Sequence, residues 1–165
     1  MTIVSDASPL ITLAKIGRLE LLPQLYRAII VTSQVYAEVV SKGSGLAGSS
    51  EIANAKWIVR KAVDDAVKLS TMQEEFGLGI GEVSTILLGK ELNADVLLVD
   101  EAKARKAAQR QGLSVLGCVG VLEDGFGRRL VADLPQIYRQ LIASGAYIDR
   151  RILENSLKAL NQPPL

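Results

Sequence analysis

Four acidic residues occupy positions from which they can do chemistry. Asp6 stands directly behind the short β-branched run Thr2–Ser5, and Asp100 directly behind Leu97-Leu98-Val99. Glu82 falls in the first turn of a helix opened by Gly77-Leu78-Gly79-Ile80-Gly81, and Glu38 on the helix after the second strand pattern. In an open parallel sheet, ligands bind in the crevice beyond the carboxyl ends of the strands. Asp6 and Asp100 face one crevice if their strands are neighbours. Carboxylates gathered without nitrogen or sulfur ligands make a hard-oxygen site suited to Mg²⁺ or Mn²⁺. Each residue also has a plainer role: a helix N-cap for Asp6, a partner of the helix dipole for Glu82, a solvated helix position for Glu38. Spacing alone leaves both sets of roles open.

Composition narrows the chemistry. The chain of 165 residues has no histidine and one cysteine, Cys118. Ser-His-Asp and Cys-His mechanisms are therefore excluded, as are zinc sites built from His and Cys within one chain, and an intrachain disulfide is impossible. The 19 Lys plus Arg against 18 Asp plus Glu leave a net charge of +1, without the basic excess of a strong nonspecific polyanion binder. Aromatics make up only 4 %, so the core must be aliphatic and platforms for base stacking are few. The first residues lack the pattern of a signal peptide, and no apolar run reaches the roughly 20 residues that span a bilayer. A soluble, cytoplasmic protein is expected.

The elements that must position the carboxylates follow from the pattern. Short β-branched runs alternating with helical periodicity predict an α/β fold with a parallel sheet. Strands are predicted at residues 2–5, 28–31, 57–59, 94–99 and 113–116, the fourth apolar throughout after Asp95, as a strand buried on both faces is. Ser8-Pro9 reads as the N-cap and first residue of the helix after Asp6. Ser33 reads as the cap of a helix through Val40, and residues 42–50 as an exposed loop. Further helices are predicted over 65–76, 82–92 and 102–111. From about residue 120 onward the chain reads as helices, with Asp149 capping the last. The length suits a single domain over 1–165.

Taken in order, Val4-Ser5-Asp6-Ala7-Ser8-Pro9-Leu10-Ile11, Val35-Tyr36-Ala37-Glu38-Val39, Gly81-Glu82, and Leu97 to Arg105 through Asp100-Glu101 resemble the PIN-domain family. Gly17-Arg18-Leu19-Glu20-Leu21-Leu22 and the helical tail extend the likeness over nearly the whole chain, within a prokaryotic branch related to VapC-type toxin ribonucleases. The resemblance implies a three-layer α/β/α sandwich around a parallel sheet of about five strands, with an acidic cluster binding Mg²⁺ or Mn²⁺. It implies cleavage of single-stranded RNA, an antitoxin protein as a partner, and a homodimer. Carried over position by position, Asp6, Glu38, Glu82 and Asp100 become the metal-binding, catalytic carboxylates. Ser8 matches a small hydroxyl residue that supports the first carboxylate, and Glu101 a support beside the fourth. The third motif departs from the branch, which reads Gly-Glu-x-Glu where this chain has Gly81-Glu82-Val83-Ser84. The alternative that follows is a PIN-fold nucleic-acid-binding or protein-interaction module of weak or no activity.

Outside that cluster, Lys103, Arg105, Lys106 and Arg110 follow Asp100 on one helix, where they either contact phosphates or form a solvated face. Gly77-x-Gly79-x-Gly81 lacks the Lys-Ser/Thr ending of a P-loop and follows a helix pattern. Cys118, without a histidine partner, reads as a small buried residue. Tyr147 and Trp57 read as core or interface anchors. Ile137, Leu141, Ile152 and Leu157 are apolar positions of the C-terminal helices, suited to the core or to a dimer contact.

Overall fold

A computed structural model describes all 165 residues. Five parallel strands form its centre: β1 (Ile3–Ser5), β2 (Ile29–Thr32), β3 (Ile58–Lys61), β4 (Val96–Leu98) and β5 (Val115–Leu116), in the order β3-β2-β1-β4-β5. β1 is the middle strand. Its register sets Val4 opposite Ile30 on one side, and Ile3, Val4 and Ser5 opposite Val96, Leu97 and Leu98 on the other. The strand order reverses between β1 and β4, which is the switch point where such sheets open a crevice. Asp6 and Asp100 follow those two strands, and the Asp6 amide bonds to the Leu98 carbonyl at 2.9 Å.

Alternation along the strands produces two cores. Ile3, Ile29, Val31 and Leu98 point into the larger one, whereas Val4, Leu97 and Val99 point into the smaller. The larger core is closed by α1 (Ala7–Lys15), α2 (Leu21–Tyr26), α3 (Ser33–Tyr36), α4 (Ser49–Asn54), α8 (Cys118–Gly127), α9 (Leu134–Ala143) and α10 (Arg150–Ala159). The smaller is closed by α5 (Ala66–Phe76), α6 (Ile80–Glu91) and α7 (Ala102–Arg110). The result is the expected α/β/α sandwich with a helical C-terminal part. α10 is anchored by a buried hydrogen bond of 2.6 Å between the hydroxyls of Ser156 and Tyr138 on α9. No helix is long and apolar enough to cross a membrane.

Several local expectations are corrected. α1 begins at Ala7, so Asp6 and not Ser8 holds the N-cap position. Pro9 still fits, because the first four amides of a helix have no partner within it. The cap of α3 is Thr32, whose hydroxyl accepts from the Val35 amide at 3.0 Å, and not Ser33. α3 then widens into a π-helical turn, Ala37–Ser41, so the regular helix expected through Val40 is interrupted. α6 starts at Ile80, which puts Gly81 inside its first turn. The 42–50 loop yields its last two residues to α4, and Tyr147 is fully exposed, so it anchors no core. Ile137, Leu141 and Leu157 are core residues, while Ile152 is half exposed.

Candidate acidic site at the sheet switch point

Asp6 is the most buried of the carboxylates, with 5 % of its surface exposed. Its side chain makes no capping hydrogen bond, so its place behind β1 does not reduce to a helix-cap role. Burial raises its pKa from 3.8 to about 7; the Ala7 amide opposes the shift, and the charges of Glu82, Glu38 and Asp100 add to it. The four carboxylates singled out by the sequence are therefore electrostatic neighbours.

Glu38 is delivered by the π-helical turn. Such turns are rare insertions that occur frequently at functional sites. Its carboxylate lies against Gly81, where a Cβ would overlap Oε1 and come within 3.0 Å of Cδ. The glycine before Glu82 thus makes room for the carboxylate of another element. Burial pushes the Glu38 pKa up, against the pull of Lys42 and of the Gly81 amide. Glu82 is raised first by burial and then by the neighbouring charge of Glu101. One Glu82 oxygen, Oε2, is buried without a hydrogen-bond partner. Asp100 accepts from the Cys118 amide at 2.6 Å through Oδ1, which fixes it at the start of α8. Both ion pairs of the chain, Arg150–Glu154 and Arg151–Asp149, lie on or beside α10, so no ion pair neutralises the cluster.

The supporting residues divide. Glu101 caps α7, its two oxygens accepting from the Lys103 and Ala104 amides at 3.2 and 3.0 Å, and it flanks Glu82 as well. Ser8 makes no side-chain hydrogen bond to Asp6; the hydroxyl beside Asp6 is that of Ser5, and it donates to the Asp6 carbonyl at 2.9 Å. Ser84 is fully buried and serves packing: its hydroxyl is 2.8 Å from both the Gly81 carbonyl and the Thr32 hydroxyl.

The basic residues divide too. Arg105 donates to the Val99 carbonyl at 2.9 Å, and Lys103 to the Gly77 carbonyl at 3.0 Å, so both are tied to the crevice rim. Lys106 and Arg110 are exposed, and Arg110 lies eight residues beyond Ala102, about 12 Å down the α7 axis and away from the carboxyl edge of the sheet. Cys118 is buried, and burial followed by the charge of Asp100 holds its thiol well above the usual range, out of nucleophile chemistry.

A divalent cation suits this donor set. All four side chains are hard oxygen donors, one buried oxygen lacks a partner, and burial raises the pKa of Asp6, Glu38 and Glu82 with no ion pair to offset it. No three of the side chains already converge as a finished cage.

A doubly wound parallel sheet with acidic side chains at its switch point defines a class of α/β protein whose crevice opens there. The DUF3368 family, described as a PIN domain, matches residues 2–162, and the chain belongs to it. Among solved structures, a PilT N-terminus domain protein from the hyperthermophilic archaeon Sulfolobus solfataricus P2 is similar at 15 % identity. That match covers 90 % of this chain and 98 % of that one, with a TM-score of 0.48. No curated protein matches. PIN domains are typically nucleases that use divalent metal ions.

Proposed function

We propose that the chain is a metal-dependent ribonuclease that hydrolyses phosphodiester bonds of single-stranded RNA at the crevice beyond β1 and β4. The observation that carries this reading is the gathering of Glu38, Glu82 and Asp100 around the buried Asp6 carboxyl, whose pKa burial and their charges lift to about 7. In this reading those four side chains hold Mg²⁺ or Mn²⁺. A bound divalent cation lowers the pKa of water and offsets charge on the attacking and leaving oxygens of a phosphodiester. Asp6, which keeps its proton to about pH 7, gives it up to become a ligand. One carboxylate of the set accepts the proton of the attacking water in this reading. Lys103 and Arg105 hold the α7 side of the crevice, where their charge favours an approaching phosphate. This chemistry needs no histidine. By family likeness the nuclease is the toxin of a toxin–antitoxin pair acting in the cytoplasm, with an antitoxin and a second copy as its protein partners.

A second reading has its own observation. Ser84 supplies no carboxylate, and no three acidic side chains converge on one point. These favour a PIN-fold module that binds nucleic acid or protein with weak or no catalysis. Purified protein incubated with a single-stranded RNA in Mn²⁺ separates the two. The nuclease reading expects cleavage that stops with EDTA and with Asp6→Asn; cleavage surviving both would overturn it, and no cleavage at all favours the second reading.

A further inference from the structure

The π-helical turn has a second side. Glu38 also lies on the wall of a pocket of about 180 Å³ whose other walls are Ile11, Val39, Leu46 and Ala47, with Lys15 among its lining residues. The loop from Lys42 to Gly48 forms one wall, held by two close approaches: a Cβ on Gly43 would meet the Val39 carbonyl oxygen at 2.5 Å, and one on Gly48 would meet the Ala14 Cβ at 3.0 Å. Leu46 reaches out of that loop with 70 % of its surface exposed. Lys15, at the last turn of α1, makes no ion pair and no side-chain hydrogen bond.

The geometry points to this pocket as a subsite for one nucleobase of the RNA strand, the base bearing a carbonyl on the edge remote from its sugar: uracil or a 6-oxopurine. The inference rests on the proposed nuclease reading, because it places the base beside the phosphate that the carboxylates act upon. Three features select this occupant. A drug-sized ligand needs roughly 300 Å³ or more, so a space of this size accepts about one ring system. Four aliphatic walls favour a flat, weakly polar body. Lys15, free of ion pairs, is a pure hydrogen-bond donor that suits a base acceptor such as O6 or O4, whereas the Glu38 carboxylate is turned to Gly81 and leaves no acceptor for an amino group. Glu38 joins the two sites, so a base seated here fixes which linkage of the strand lies over Asp6 and Asp100.

The test uses the intact protein in EDTA, with its methyl groups observed by NMR, and adds free nucleosides. Uridine and inosine are compared with cytidine and adenosine, which exchange the carbonyl for an amino group. Saturable movement of the Ile11, Val39 and Leu46 methyls is expected, tighter for uridine and inosine. Lys15→Met should weaken those two about tenfold and leave the others unchanged, the size expected for one charge-assisted hydrogen bond. Leu46→Ala, at an exposed position, should weaken all four. No movement with any nucleoside, equal response to all four, or movement with an apolar peptide alone would each overturn the inference. RNA cleavage plays no part in this readout. Methyl shifts without cleavage would remove only the nuclease reading, and cleavage without methyl shifts would remove only the base pocket.

Discussion

Replacing Asp6 by Asn has an effect whose size follows from the structure. In the folded chain the Asp6 carboxyl keeps its proton to about pH 7, against 3.8 for the same group in an open chain. The folded state therefore binds that proton more tightly than the unfolded state. The associated stability is fully present below pH 3.8 and is lost as pH rises to about 7. At about 1.4 kcal/mol per pKa unit the whole loss is about 4 kcal/mol, of which about 3 kcal/mol falls between roughly pH 5 and pH 8. Asn carries no charge to bury, so the variant escapes the loss. For a chain of this length 1 kcal/mol moves the melting temperature by about 2–4 °C. Thermal unfolding in EDTA should thus show the Asp6→Asn midpoint gaining about 6–12 °C on wild type between roughly pH 5 and pH 8. Mn²⁺ added at the higher pH should raise the wild-type midpoint and leave the variant unchanged, because the proposed site needs the Asp6 carboxylate to bind the ion. Parallel pH profiles for the two proteins would refute the reasoning, since they would mean that Asp6 is ionised and well solvated.

Other substitutions separate the site from its scaffold. Gly81→Ala sets a methyl group on the Glu38 carboxylate; RNA cleavage should fall at least about tenfold, while stability changes by less than about 1 kcal/mol because alanine is the better helix former. Urea unfolding and a cleavage assay on one preparation check both halves. Ser84→Ala should cost about 1 kcal/mol and leave cleavage within about twofold, as its hydroxyl bonds only Thr32 and the Gly81 carbonyl. Lost cleavage in a folded Ser84→Ala protein would place that hydroxyl in the chemistry. Tyr138→Phe removes the buried partner of Ser156 and should lower stability by about 1–2 kcal/mol without changing cleavage.

Much of this architecture is legible in the sequence because a two-faced parallel strand is an uninterrupted apolar run. Leu97-Leu98-Val99 is such a run, with Leu98 serving one core and its two neighbours the other. From those runs come the strands, and from the strand ends Asp6 and Asp100. Helix starts were less legible. Ser8-Pro9 carries the residue types of a cap and first turn, yet the extended backbone at Asp6 moves the start to Ala7. Ser33 and Thr32 are adjacent capping residues, and only the Thr32 hydroxyl faces the Val35 amide. The π-helical turn around Glu38 has no signature in residue type, and it sets the Glu38 carboxylate against Gly81, which lies far along the chain. Arg105 and Lys103 read as phosphate contacts or a solvated face, because their acceptors are backbone carbonyls that no pattern reveals. The pocket beside Glu38 was likewise illegible, since Ile11, Lys15 and Leu46 come from two separate segments.

Whether Asp6, Glu38, Glu82 and Asp100 together bind a divalent cation is tested most directly by titrating Mn²⁺ into the protein and following the free-ion signal by electron paramagnetic resonance. The cluster predicts saturable loss of that signal, binding that tightens as pH rises through about 7 with the release of the Asp6 proton, and its disappearance in Asp6→Asn and Asp100→Asn. A signal undiminished by the wild-type protein, or diminished equally by both variants, would contradict it.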